Sequence, residues 1–457
     1  MKSLSYRWWV TLALAGASPL AGCSGDDGAG GGTVVPVDGR DATAEIADAA
    51  DEVDVGDDAA DSVDDVGAGD VSDGADGDDV GPDAIEDTTT SDIDPTSADE
   101  KSFQAALALY DAGQFEDAEA AFLAFVERYT DSPRVDNAVY LVARCDFEEG
   151  DYNGALTRFE AFLTDYPASP FLDGATYFVG RCDYELGDFA GADAAFDEFL
   201  GAFPDSVYYD NGLYYGGLAR FAQGLWTPAL DRFLALEPRT DSSYRDGGLL
   251  YAGRSYYERG VAAADPTSSD FDNADALFEM LFADYPGSVH EDNGRYYYGL
   301  TRYQATDYET ASARLATFRA AFPDSVYADN AWYYEGRCYY KLTDFAQAAA
   351  TLEALESARP DSSYADDALY YAARSHYELG RLGQTNDFVE AVAQFERLIA
   401  TWPDSVYGDN AYYYMIRSRI ALGDCSGANA DFDALSTAYP GSTYVDQAAT
   451  ALGNGGC

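Results

Sequence analysis

Three sets of side chains in this 457-residue chain could do chemistry. The first is a recurring pair of tyrosine and arginine four residues apart: Tyr140 and Arg144, Tyr177 and Arg181, Tyr333 and Arg337, Tyr370 and Arg374, Tyr413 and Arg417. Arg254 stands in the same register, and Tyr184, Tyr340 and Tyr377 each follow one of these arginines by three residues. Phenol rings and guanidinium forks recognise peptides and carboxylates. Their competing role is to stack on one another as structural cation–π pairs. The second set is six cysteines, and the third is two histidines, His290 and His376. Both histidines occupy repeating positions held elsewhere by tyrosine or arginine, so structural roles account for them. No glycine-rich phosphate loop, nucleophile elbow or zinc-spaced His/Cys cluster is present. The 82 acidic residues read as caps and solvated faces, and number alone makes no general acid–base pair. The chain is therefore expected to be no enzyme and to use no metal or cofactor.

These residues are positioned by an internal repeat. A serine, usually two residues after a proline and always four before an aspartate, recurs at Ser132, Ser169, Ser206, Ser242, Ser288, Ser325, Ser362, Ser405 and Ser442. Successive spacings are 37, 37, 36, 46, 37, 37, 43 and 37, a period of 37 with two insertions. Serine after such a break is a preferred N-cap, and an aspartate four residues on still feels the positive end of the helix dipole, so each serine is expected to open a helix. In the unit that follows Ser169, Leu186-Gly187-Asp188-Phe189 ends that helix and starts a second one. Phe189, Ala192, Phe196 and Phe199 share a face of the second helix. Each unit is thus a helical hairpin. At 100° per residue the tyrosines and arginines above fall within about 60° of one another on the first helix, as one stripe.

Gly180, Gly187, Phe189, Ala192, Phe196 and Pro204, repeated in step through residues 99–457, resemble the tetratricopeptide repeat. That resemblance implies an all-α, right-handed α-solenoid of about nine hairpins. A solitary helix at about 443–452 would close it as a C-terminal cap. It also implies that the tyrosine–arginine stripe lines the concave groove and binds partners. The 37-residue period and the Tyr-Pro-x-Ser joints look like those of periplasmic tetratricopeptide lipoproteins of the outer membrane. Two such proteins are a component of the β-barrel assembly machine and the cell-division coordinator associated with Tol-Pal.

The N-terminal residues fit that setting. Lys2 and Arg7 precede an apolar run from Trp8 to Pro19, which is too short to span a membrane. Leu20-Ala21-Gly22-Cys23 follows and resembles the bacterial lipobox, which implies a signal peptide over residues 1–22 and a lipidated Cys23. Ser24, rather than aspartate, follows the cysteine and favours the outer membrane, facing the periplasm. Residues 23–98 form an expected disordered acidic tether: residues 24–100 hold 26 acidic side chains against Arg40 alone, and residues 24–98 hold no aromatic residue. A neutral coil of that length would average roughly 50 Å end to end, and charge repulsion extends it.

Residues 101–457 carry 56 acidic side chains against 24 basic ones, so nucleic acid and anionic lipid surfaces are both excluded as partners. A basic stripe inside so acidic an array would select proteins or peptides with acidic or carboxylate ends. Cys145, Cys182 and Cys338 share a repeat position otherwise held by small residues, and they are expected to be free. Cys425 replaces a residue that is aromatic in the other units, and Cys457 is the last residue beyond the capping helix, so these two are expected to form a disulfide. The function implied is a lipid-anchored periplasmic scaffold for envelope assembly or division. The alternative is a structural spacer or surface adhesin in which the stripe only holds curvature.

Overall fold

A computed structural model describes residues 96–457, and among them it contains nineteen helices and no strand. Cys23, the signal peptide and nearly all of the tether lie outside the described residues. Nine antiparallel hairpins follow one another. They are α1–α2 (Ala98–Asp111, Phe115–Arg128), α3–α4 (Val135–Glu148, Tyr152–Asp165), α5–α6 (Leu172–Glu185, Phe189–Ala202) and α7–α8 (Tyr209–Ala222, Trp226–Leu236). Next come α9–α10 (Arg245–Ala262, Ser269–Asp284), α11–α12 (Glu291–Gln304, Tyr308–Ala321) and α13–α14 (Ala328–Lys341, Phe345–Ala358). The last are α15–α16 (Ala365–Arg381, Asp387–Thr401) and α17–α18 (Gly408–Ala421, Cys425–Ala438). The single helix α19 (Tyr444–Gly455) closes the array against α17 and α18.

The joint between hairpins corrects the capping expectation. Ser206 is not the N-cap of α7; Tyr208 is, and its side chain makes no capping bond. The backbone turns tightly here: Ser206 N–H donates to the Phe203 carbonyl and Tyr209 N–H donates to the Ser206 carbonyl, each at 3.1 Å. The Ser206 hydroxyl oxygen accepts the Tyr208 N–H at 3.1 Å, while its own proton goes to Asp173 of the preceding hairpin at 2.7 Å. A hydroxyl can donate one bond and accept others, so one serine both holds the joint and latches it to its neighbour. The same latch joins Ser132 to Asp99, Ser169 to Asp136, Ser288 to Asp246, Ser325 to Asp292 and Ser442 to Asp409, at 2.6 to 3.0 Å. The array also begins with a serine: Ser97 caps α1 by accepting the Glu100 N–H at 3.3 Å.

Beyond Ser97, side-chain N-caps belong to the second helices. Asp151, Asp188, Asp307, Asp344 and Asp424 each accept the N–H three residues on. The turn before them needs a left-handed residue, which is Gly187 (φ +79°) in the α5–α6 hairpin. Within a hairpin the helices pack so closely that a Cβ on Gly180 would lie 2.9 Å from the Phe196 ring. The two insertions lengthen α9 and α15 to 18 and 17 residues and enlarge the turns after them.

Candidate functional site

The stripe runs along successive first helices, but it faces the next hairpin. Five of the six arginines lay the guanidinium on the ring that directly follows the tyrosine of the next unit: Arg144 on Phe178 at 4.0 Å, Arg181 on Tyr215 at 3.7 Å, Arg254 on Tyr297 at 4.5 Å, Arg337 on Tyr371 at 3.9 Å and Arg374 on Tyr414 at 3.7 Å. Arg417, in the last hairpin, lies over Tyr377 and Tyr413 at 5.5 Å. On its own helix the arginine donates to the phenol four residues back, as in Arg181 to Tyr177 (3.0 Å), Arg337 to Tyr333 (2.6 Å), Arg374 to Tyr370 (3.2 Å) and Arg417 to Tyr413 (3.1 Å). Arg374 also donates back to Tyr340 of the preceding hairpin at 3.0 Å. Arg144 and Arg181 add ion pairs with Glu148 and Glu185, one turn on.

This geometry corrects the groove assignment. Tyr140, Tyr177, Tyr333, Tyr370, Arg254 and Arg337 are at most 2 % exposed, and Arg144, Arg181, Tyr184, Tyr377 and Tyr413 are buried too. Tyr340, Arg374 and Arg417 are half-buried. From Arg144 to Arg374 the period of the repeat sets the guanidinium against a ring of the following unit, and that ring excludes the water or ligand that would otherwise reach it. The ladder is therefore an inter-hairpin adhesive. The overlooked residue was the second aromatic of the doublets Tyr177-Phe178, Tyr214-Tyr215, Tyr296-Tyr297 and Tyr370-Tyr371. Those doublets were the available signal.

Arginines outside the stripe are consumed in the same way. Arg220 pairs with Asp193 and Asp197, Arg302 with Asp272 and Asp275, and Arg419 with Asp424 and Asp431. His376 of α15 sits between two carboxylates on the flanking helices, with Nε2 2.8 Å from Glu353 and Nδ1 2.8 Å from Asp387. Burial lowers its pKa, but the hydrogen bonds to Glu353 and Asp387 outweigh that and raise it above the ordinary value. His290 is buried, which lowers its pKa. Cys145 and Cys182 are free and buried, and burial pushes each thiol up to about 12; Cys338 is likewise free, with its thiol raised by burial. Cys425 and Cys457 are joined in a disulfide, their Cα atoms 5.1 Å apart. Among the described residues no group of His, Cys, Asp and Glu could hold a metal ion, and no helix is long and apolar enough to cross a membrane.

These hairpins match a known family. The profile of the YfiO family, described as outer membrane lipoprotein, aligns with residues 142–295 and again with 290–423. The chain belongs to that family. A tetratricopeptide-repeat profile matches residues 103–170 of the same lipoprotein. Three solved structures are similar. A tetratricopeptide repeat protein from Parabacteroides merdae is 16 % identical over 60 % of this chain and 98 % of its own, with a TM-score of 0.39. The C-terminal part of a repeat protein from Cytophaga hutchinsonii is 15 % identical over 58 % and 98 %, with a TM-score of 0.45. Apo RapI is 11 % identical over 79 % and 99 %, with a TM-score of 0.44. No curated protein matches the lipoprotein by sequence.

Proposed function

We propose that this chain is a non-catalytic scaffold, anchored through lipidated Cys23 in the outer membrane and facing the periplasm, that holds protein partners during envelope assembly or division. The observation that carries this reading is the outer membrane lipoprotein profile, which spans residues 142–423 of an uninterrupted hairpin array. Solenoids of this kind offer extended surfaces to partners. Residues 24–98, as an acidic tether, would let the array work away from the membrane. To test it, the tagged full-length protein is crosslinked in living cells and captured, and the partners are identified beside those of a Cys23→Ala form. A defined set of envelope proteins, lost or redistributed when Cys23→Ala abolishes membrane partition, supports the scaffold. Burial of the tyrosine–arginine ladder favours a second reading, a passive spacer. On that reading capture yields no more than an unrelated lipoprotein of equal abundance.

A further inference from the structure

Most arginines are stacked or paired within the array, and although Arg128, Arg239, Arg359, Arg381 and Arg397 are exposed, the charge on its surface is predominantly carboxylate, and the joints between hairpins organise it. From Ser206 to Ser405 the tyrosine or histidine two residues after the joint serine turns inward, and at Ser206, Ser288 and Ser325 the serine hydroxyl does too: the Ser206 hydroxyl reaches Asp173 and Tyr208 is buried. The residues on either side of that serine must then project outward. Before it stand Asp205, Asp241, Asp324, Asp361 and Asp404, all exposed. After it stand Val207, Val289, Val326 and Val406, exposed by 58 %, 72 %, 77 % and 79 %. The joint itself does not need an apolar residue there, since Ser243, Ser363 and Thr443 hold the same place in other units. A valine and a carboxylate flank the same serine at the Ser206, Ser325 and Ser405 joints; the valine stands without the carboxylate beside Ser288, and the carboxylate without the valine beside Ser242 and Ser362. These exposed valines have no role in the fold.

We propose that the edge made by these joints, from the joint at Asp205 to the joint at Val406, docks an extended cationic segment of a partner protein in which lysine or arginine alternates with aliphatic side chains. The carboxylates pair with the cations and the valines cover the aliphatic groups. Charge complementarity selects this occupant: residues 101–457, with 56 acidic against 24 basic side chains, repel acidic segments, and the arginine ladder is closed to them. The proposal rests on the partner-binding reading above and names the chemistry of the partner.

The test uses the full-length protein in detergent and measures fluorescence anisotropy of a labelled peptide alternating lysine and valine, at physiological ionic strength. Peptides alternating lysine with serine and glutamate with valine serve as controls. Replacing Val207, Val289, Val326 and Val406 together by serine, and separately replacing Asp205, Asp241, Asp324, Asp361 and Asp404 by serine, should each weaken lysine–valine binding by roughly tenfold or more with melting unchanged. Serine in place of five exposed carboxylates elsewhere, Asp117, Glu127, Glu160, Glu198 and Asp433, should leave binding within roughly twofold. If a combined variant melts early, the Asp324→Ser/Val326→Ser pair is read instead, with a proportionately smaller loss expected. Equal binding of the lysine–serine peptide, or equal loss from the control carboxylates, would reduce the effect to bulk charge and overturn the edge. Partner capture from cells that survives the edge variants would sink this inference and leave the scaffold reading standing.

Discussion

At the scale of single residues, the guanidinium of Arg337 is the clearest case of a group whose type suggests binding and whose surroundings make it structural. It is 1 % exposed, stacked on Tyr371 and bonded to Tyr333. Arg337→Ala removes a desolvated cation–π contact and strands a buried phenol, at a cost of about 2–4 kcal/mol. Urea unfolding measures it; unchanged stability would show that the arginine is not used in packing. His376 gives a pH dependence whose sign follows from its neighbours. Two ionised carboxylates accept from both ring nitrogens only when the ring is an imidazolium, and its folded pKa is raised above 6.5. Its contribution is therefore fully present below the unfolded pKa of about 6.5 and lost as pH rises through the folded value. On the acid side the limit is Glu353, whose pKa its hydrogen bond to His376 lowers, with Gln394 and the Arg397 charge acting in the same sense. His376→Gln should cost about 2 kcal/mol at pH 6 and much less at pH 9. With only two histidines in the chain, proton NMR can follow both rings. A His376 ring that titrates below His290 would contradict this account.

At the scale of helices and joints, the serine–aspartate latch is the unit of assembly. Ser206 and Asp173 come from consecutive hairpins 33 residues apart, and the bond has an ionised acceptor. Ser206→Ala and Asp173→Ala should each cost about 1–2 kcal/mol, with a coupling of roughly 1 kcal/mol in the double-mutant cycle. Additive effects would mean that the hydroxyl and carboxylate act separately. The last element, α19, has a neighbour on one side only and buries just Ala448 and Leu452. The Cys425–Cys457 bridge, with a sequence separation of 32, ties it down. On the chain-entropy model, reduction should remove about 3–4 kcal/mol from this end. Hydrogen exchange of α19 should then accelerate while that of α1 to α4 does not. Equal protection of α19 before and after reduction would remove the staple from the account of stability.

For the whole molecule, every described hairpin is latched or stacked to the next, so the array should fold without what precedes it. A form beginning at residue 96 should keep its helical circular dichroism and its melting temperature. A fall of more than a few degrees would mean that the acidic segment before it packs on the array. Burial of the stripe also reverses the charge sought in a partner, from acidic to basic, because it leaves a surface on which carboxylates predominate.

Nine hairpins, their period, the two insertions and the closing helix were legible in the sequence, because each is written in short-range patterns. Proline and serine mark every joint, glycine or a substitute marks most turns, and Phe189, Ala192, Phe196 and Phe199 show one apolar face at helical spacing. Helical spacing also showed that Tyr333, Arg337 and Tyr340 share a face, but periodicity cannot say what covers a face. That depended on how closely one hairpin approaches the next, which brought Tyr371 over Arg337 and closed the stripe. The serines failed as N-caps for a related reason. Propensity describes the backbone beside a residue, whereas the hydroxyl of Ser206 found its acceptor 33 residues back, across a contact that exists only once two hairpins have docked.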